Sequence, residues 1–268
     1  MKFNDFLLER GVFTLKELNK YLASKGSTNK NTRKNLLAYY QKCSRIEKVR
    51  RGLYLVVPRG SNSDKSPYDA YLIAAKMTED AVLGYHTALE FLGKAYSVFF
   101  RYHCLSASRS VSLQFRSNIF QAVFVPQALR DKGKEMFGVV TRNRSGVDVR
   151  VTNFERTFVD VLDRPELSGS WEEIWRSLES IEFFDLDQVV EYVELLGKAI
   201  TAAKVGFFLD QHKETLMVDD KYLSKLKKLS PNQPHYMEVR SKKASLLVKD
   251  WNLIVPKEVL NKTWEEVL

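Results

Sequence analysis

Asn29-Lys30-Asn31-Thr32-Arg33-Lys34-Asn35-Leu36-Leu37-Ala38-Tyr39-Tyr40-Gln41-Lys42, followed three residues later by Ile46-Glu47-Lys48-Val49-Arg50-Arg51-Gly52-Leu53-Tyr54-Leu55-Val56-Val57-Pro58, decides how the fold is read. The first part predicts a helix over about 29–42. On a 3.6-residue period it places Leu36, Tyr39, Tyr40 and Cys43 on one face. Lys30, Asn31, Lys34 and Gln41 fall on the other, with Arg33 at the margin. The second part predicts two short strands, Ile46–Val49 and Leu53–Val57. Arg50-Arg51-Gly52 makes the turn and Pro58 ends the second run, so an exposed arginine pair is expected at the hairpin tip.

Working back toward the N-terminus, Thr14 and Glu17 have the spacing of a capping box, and Phe13 with Leu18 that of its hydrophobic staple. Leu15, Leu18 and Leu22 continue the apolar stripe until Gly26 stops the helix. A shorter helix fits Asn4–Glu9, and the polar turn Ser24–Thr28 joins the capped helix to the basic one. Helix, capped helix, basic helix and basic hairpin in that order predict a winged helix-turn-helix. On such a unit Lys and Arg neutralise phosphates, Asn and Gln match adenine edges, and arginine fits a narrow minor groove. The residues expected to face double-stranded DNA are Thr28, Asn29, Lys30, Asn31, Arg33, Lys34, Arg50 and Arg51. Taken one at a time, each lysine would serve equally well on a solvated face, and a winged helix can also bind protein.

Charge follows the same division. The chain of 268 residues carries a formal net charge of +9. Residues 1–60 hold 14 Lys and Arg against 4 Asp and Glu, a net of +10, so the remaining 208 residues are nearly neutral at −1. Such asymmetry suggests that one segment meets a polyanion while the rest has another task. Hydrophobic residues make up 44% and charged residues 28%, which excludes extended disorder. The opening MKFNDFLLER is not read as a secretory signal, and no apolar run approaches the ~18 residues of a membrane span. The two cysteines, Cys43 and Cys104, form no CxxC, so neither a disulfide scaffold nor a cysteine-rich zinc site is expected. A cytoplasmic protein with no membrane partner is the expectation.

The polar, Pro-terminated stretch Arg59–Pro67 reads as a linker. The expected organisation is a DNA-binding domain over 1–60, a linker over 61–67 and a larger domain over 68–268. The larger domain should be mixed α/β with a helical C-terminal part, making the chain α+β. Helices are predicted over Tyr68–Met77 and His86–Leu92, and a short one over Pro126–Lys132. Strands are predicted over Ser97–Leu105, Val111–Phe115, Ile119–Val125, Gly138–Arg142 and Val147–Val151. Helices follow over Asn153–Leu162, Ser170–Ile181, Leu186–Leu196, Lys198–Gln211 and Asp219–Leu229, then β-like runs over Tyr236–Arg240 and Ser245–Val255. Residues 97–104 alternate, with Phe99, Arg101 and His103 on one side and Phe100, Tyr102 and Cys104 on the other.

Thr152-Asn153-Phe154-Glu155-Arg156-Thr157-Phe158-Val159-Asp160-Val161-Leu162-Asp163-Arg164-Pro165 concentrates the chemistry-bearing side chains. Glu155, Asp160 and Asp163 could hold a metal for a nuclease. The structural alternative weighs more. Thr152 and Glu155 would form a second capping box, Arg156 and Asp160 would pair across one helical turn, and Asp163-Arg164-Pro165 would end the helix. His86, His103, His212 and His235 lack metal-ligand spacing, and His86 reads as a cap or a packed polar residue. Trp171, Trp175 and the Phe183-Phe184 pair read as core, and Lys221, Lys225, Lys227 and Lys228 as a solvated face. No GxSxG, phosphate-binding GxxxxGK[ST] or GxGxxG is present. No catalytic residue, metal or cofactor is expected.

Three stretches resemble the AbiEi-type antitoxins, the transcriptional-regulator half of bacterial abortive-infection toxin–antitoxin pairs that act in phage defence. They are Arg51-Gly52-Leu53-Tyr54-Leu55-Val56-Val57-Pro58, then Leu83-Gly84-Tyr85-His86-Thr87-Ala88-Leu89-Glu90-Phe91-Leu92-Gly93, and Val151 through Pro165 with its T-x-x-E-R-T-x-x-D and D-R-P. Gly197–Ile200 and Val205–Leu209 are similar to the family's helical tail. The resemblance implies a winged helix that binds inverted repeats in its own promoter and represses it. It also implies a C-terminal domain that counteracts a nucleotidyltransferase-like toxin, in pairs usually classed as type IV. His86, Thr152, Glu155, Arg156, Asp160, Asp163 and Arg164 are the matched residues, with no role assigned. The competing expectations are a winged-helix-guided metal-dependent nuclease and a ligand-responsive regulator without a toxin.

Overall fold

The computed structural model describes residues 3–61, 66–238 and 244–265. The chain folds into two compact units. The first takes residues 1–83, 100–123 and 141–150, and the second takes residues 84–99, 124–140 and 151–268. The chain therefore passes between the units five times. The elements mix helix with both antiparallel and parallel strand pairs, an α+β chain as expected.

In the first unit, α1 (Phe3–Leu8), β1 (Val12–Thr14), α2 (Leu15–Ser24), α3 (Lys30–Lys42), β2 (Ile46–Arg50) and β3 (Leu53–Val56) follow one another. The capping box forms as predicted: Glu17 N–H donates to Thr14 Oγ1 at 3.2 Å, and Thr14 N–H donates to Glu17 Oε2 at 2.7 Å. Gly26 takes φ +74° just beyond the helix end, where a Cβ would be strained. β1 and β2 both pair antiparallel with β3, giving the order β1-β3-β2. Phe6, Phe13, Leu18, Leu37, Ile46 and Tyr54 form one buried cluster beneath these elements. Its rings interlock, with Phe6 edge-on to Phe13 at 5.3 Å and Phe13 stacked on Tyr54 at the same distance.

The chain continues through α4 (Ala70–Ala74), β4 (Val82–Leu83), β5 (Arg101–Ser106), β6 (Val111–Phe115), β7 (Asn118–Phe124), β8 (Val139–Arg144) and β9 (Val147–Thr152). Their six-stranded sheet has the order β6-β7-β5-β4-β9-β8. β5 is central, and its residues 102–106 are buried on both faces. The alternation expected along it is therefore absent.

The stretch 61–67, read from the sequence as a linker, falls within the first unit. Residues 62–65 lie outside the described residues, but Ser66 is buried and its carbonyl accepts from Arg116 Nη1 at 2.5 Å. Arg116 also pairs with Glu47 at 2.5 Å, and Lys76 Nζ donates to the Val12 carbonyl at 3.0 Å. Long cationic side chains reaching backwards bind the hairpin and β1 to the sheet-bearing segment, which a composition-based boundary does not register.

The second unit holds α5 (His86–Phe91), α6 (Gln127–Asp131), α7 (Phe154–Asp163), α8 (Trp171–Glu179), α9 (Leu186–Leu196), α10 (Ala199–Gln211), α11 (Asp220–Leu229) and α12 (Lys257–Leu260). β10 (His235–Tyr236), β12 (Leu253–Pro256) and β11 (Ser245–Val248) form a small sheet in that order. A 3₁₀ turn at Lys249–Trp251 divides what the sequence predicts as one run, and residues 239–243 of the other predicted run lie outside the described residues. Trp171 and Trp175 are core, as expected, whereas Phe183 is 69% exposed and only Phe184 packs inward. Among the described residues no helix is long and apolar enough to cross a membrane.

Gly206 lies inside α10, where alanine would ordinarily favour the helix by about 1 kcal/mol. A Cβ at this position would meet the buried Trp251 ring at 2.0 Å, and a tryptophan sealed in the core has little room to withdraw. Gly206→Ala is expected to destabilise the protein by about 1–3 kcal/mol, measured from the urea midpoint. A stabilised variant would show that Trp251 yields without cost.

Candidate nucleic-acid interface

Asn29 is the N-cap of α3, its Oδ1 accepting from Asn31 N–H at 2.8 Å, so this expected contact residue has a structural task. On the inner edge Leu37 is buried, with Leu36 and Tyr40 partly so. Tyr39 is 61% exposed and Cys43 is also exposed, so the packed edge is rotated from the predicted one. The outer face consequently carries Asn31, Lys34, Asn35, Ala38 and Lys42, all exposed. Asn31, Asn35, Ala38 and Lys42 stand at helical spacing on one line. Asn35 and Ala38 are absent from the sequence-based set, although the 31-35-38-42 period was there to find them.

The remaining expected contacts divide. Thr28, Lys30 and Lys34 are exposed. Arg33 is half-buried and its Nη1 donates to Asn19 Oδ1 on α2 at 2.9 Å, so it braces one helix against the other. Arg51 is exposed at the hairpin turn, beside Gly52 at φ +85°. Arg50 is not exposed at the tip as expected: it turns inward, and its Nη2 donates to the Met77 carbonyl. The register of β2 against β3 shifts between Lys48 and Arg50, and such an irregularity re-aims the side chain that follows it.

Arg156, Asp160 and His86 of the matched residues lie in two buried polar seams, with Glu155, Asp163 and Arg164 only partly buried around them. In the first, Arg156 is fully buried. Its Nη1 donates to the carbonyls of Glu135 at 2.7 Å and Phe137 at 2.6 Å, and its Nε lies 3.3 Å from Asp160 Oδ2. Tyr192 Oη donates to Asp160 Oδ1 at 2.6 Å, so both carboxylate oxygens are engaged. Burial pushes the Asp160 carboxyl up, against Arg156 and Tyr192, which hold it down. Asp163 accepts from Lys198 Nζ at 2.7 Å and Thr201 Oγ1 at 2.6 Å, tying α7 to the start of α10. Arg164 is the C-cap of α7, its Nε 3.0 Å from Glu166 Oε1.

The second predicted capping box does not form. The N-cap of α7 is Asn153, whose side chain accepts from Arg156 N–H at 3.0 Å. Thr152 still belongs to β9 and its Oγ1 lies 2.7 Å from Thr157 Oγ1, while Glu155 Oε1 accepts from Asp185 N–H at 3.1 Å. One more strand residue displaced the helix start by one position, leaving Glu155 to stabilise the loop before α9.

His86 heads the other seam. It is buried and stacked on Phe99 at 3.7 Å, with its Nε2 3.0 Å from Glu173 Oε1. Burial would raise the Glu173 carboxyl, but hydrogen bonds from His86 and Ser97 outweigh it and hold the group down at about 2. The same oxygen accepts from Ser97 N–H at 3.0 Å and Ser177 Oγ at 3.1 Å. These bonds join α5 to α8 and leave Glu173 Oε1 fully engaged.

Removing one partner of a buried ion pair strands the other charge, which typically costs about 3–5 kcal/mol. Asp160→Ala is expected to destabilise the chain by that amount, measured by urea unfolding. A loss below about 1 kcal/mol, the scale of an exposed pair, would mean that the seam does not hold α7 to α9.

No family model and no curated protein matches this chain. Among solved structures, the crystal structure of the RV2827C protein from Mycobacterium tuberculosis is similar to it, with a TM-score of 0.60. That likeness covers 95% of this chain and 90% of the other at 12% identity, and it is a likeness of fold.

Proposed function

We propose that this chain is a DNA-binding transcriptional autorepressor and antitoxin, with residues 1–60 acting as a winged helix and α3 as its recognition helix. The observation that carries the DNA-binding half is the exposed line of Asn31, Asn35, Ala38 and Lys42, flanked by Lys34, on a helix whose opposite edge is buried. Each residue type has a task in a major groove. Lys34 and Lys42 neutralise phosphates, the Asn31 and Asn35 amides match the N6 and N7 edge of adenine, and the short side chain of Ala38 lets the helix backbone approach. Arg51 at the turn is placed for a flanking phosphate or the minor groove. The concentration of +10 in residues 1–60 supports the same reading.

The antitoxin half rests on the resemblance of Val151–Pro165 and the two other stretches to the AbiEi-type family. In this reading the second unit opposes a nucleotidyltransferase-like toxin. The nuclease alternative needs Glu155 and Asp160 open to a metal, and the hydrogen bonds that occupy them favour a structural role.

With a duplex from the chain's own promoter, replacing Lys34 and Lys42 together by alanine should weaken binding. It should also flatten the plot of log affinity against log salt by about 2, one phosphate contact for each lysine. Asn35→Ala should narrow the preference for the promoter over unrelated duplex by about 1–3 kcal/mol. Fluorescence anisotropy reads both, and unchanged affinity and slope in the folded double variant would sink the assignment of α3. The double variant, expressed at normal level, should still protect cells from the toxin encoded beside it. Full toxicity would show that protection is not separate from DNA binding.

A further inference from the structure

A cleft of about 570 Å³ opens in the first unit between the start of α2, the hairpin turn, residues 75–79 and the loop after β5. Five cationic side chains line it: Lys16, Arg50, Arg51, Lys76 and Arg109. Two of these are already neutralised, Lys76 by Glu17 at 2.5 Å and Lys16 by Glu79 at 2.8 Å. Among the described residues, no carboxylate pairs with Arg50, Arg51 or Arg109. Among the described residues Arg50 bonds a backbone carbonyl through Nη2, and its buried Nε–H finds no partner. A buried N–H left unpaired beside a second guanidinium is a cost that folding has accepted.

The backbone that carries Arg109 is also held in place. Asp80 Oδ1 accepts from Ser106 Oγ at 2.8 Å, and its Oδ2 accepts from the N–H groups of Ala107 at 2.8 Å and Ser108 at 3.0 Å. Arg109 N–H in turn donates to Ser106 Oγ at 3.2 Å, so the loop is pinned up to the residue that enters the cleft. Burial raises the Asp80 carboxyl, but hydrogen bonding outweighs it, the loop bonds among the causes, and holds the group down at about 2. Burial, and then the positive charge of Arg109, disfavours the charged Arg50 guanidinium. A phosphate anion seated between the two arginines would offset that repulsion.

We propose that this cleft is a phosphate-binding site, in which Arg50, Arg51 and Arg109 close on one phosphoryl group. Guanidinium forks match phosphate oxygens two at a time, and arginines positioned beforehand lose little freedom on binding. The phosphoryl group belongs either to a small phosphorylated compound or to the backbone of a bound duplex. The site uses no residue of α3 but shares Arg51 with the DNA reading, so only its duplex arm rests on that reading.

The test is thermal unfolding of the full chain titrated with sodium pyrophosphate, against sodium chloride at matched ionic strength. A saturable rise in melting temperature is expected for pyrophosphate alone, since a ligand that binds only the folded state stabilises it by mass action. Arg109→Ala, a change at an exposed side chain, should raise the half-saturating concentration by about tenfold or more, with Arg109→Lys in between. The Lys34, Lys42 double variant should respond as the native chain does, which separates failure of this site from failure of the DNA reading. Competition between pyrophosphate and promoter duplex for the native chain would identify a backbone phosphate as the occupant. Duplex binding indifferent to pyrophosphate would identify a small phosphorylated compound. No saturable rise in the native chain, or an undiminished one in Arg109→Ala, overturns the proposal.

Discussion

The orientation of α3 depends on a narrow apolar edge. Leu37 is the buried residue of that helix, assisted by Leu36 and Tyr40, and it reaches a cluster of rings and aliphatic side chains from α1, β1, α2, β2 and β3. A helix so polar over the rest of its surface has little reason to prefer one rotation on its own. The cluster supplies the reason: turning α3 toward its Ala38 side would expose Leu37 and bring Asn31 and Lys34 inward. Which side chains the outer face displays, and at what spacing, follows from that seating. Arg33 reinforces it from the side by bonding Asn19.

The second unit is held differently. Arg156, Asp160 and Tyr192 form a charged seam inside the helices, and His86, Glu173 and Ser177 form a neighbouring polar one. Seams of this kind contribute little net stability compared with well-packed hydrocarbon, but they penalise every misaligned arrangement heavily. Helices that slide past one another in an apolar core lose a little contact, whereas helices that slide here strand a charge. Charge is thus used in opposite ways in the two units: displayed on α3, and locked away between α7 and α9.

Local signals in the sequence were legible where they depended on neighbours in the chain. Thr14 with Glu17 marked the start of α2, and the 3.6-residue period gave α9 its bounds at Leu186 and Leu196. The extent of β6 followed from β-prone residues between turn signals. Long-range choices were not legible. Arg50 looks like a solvent-exposed turn residue until the Met77 carbonyl, 27 residues away, is placed beside it. Thr152 fits a capping box equally well, and only strand pairing extends β9 through it and passes the cap to Asn153. Leu37 rather than Tyr39 became the anchor of α3 because it is the residue that meets side chains of other elements, which periodicity does not encode. Arg109 carried no motif at all. Its place at the cleft depends on Asp80 gripping a loop 27 and 28 residues downstream.

The five passages of the chain between the units have a bearing on how the protein is made. The first unit is not finished until residue 150 of 268 has been synthesised, because its sheet draws strands from either side of the insertions at 84–99 and 124–140. On a ribosome delivering the chain from its N-terminus, α1 to β3 emerge early, yet the sheet behind them waits for more than half of the polypeptide. The inserted segments must wait longer still, for partners beyond residue 151.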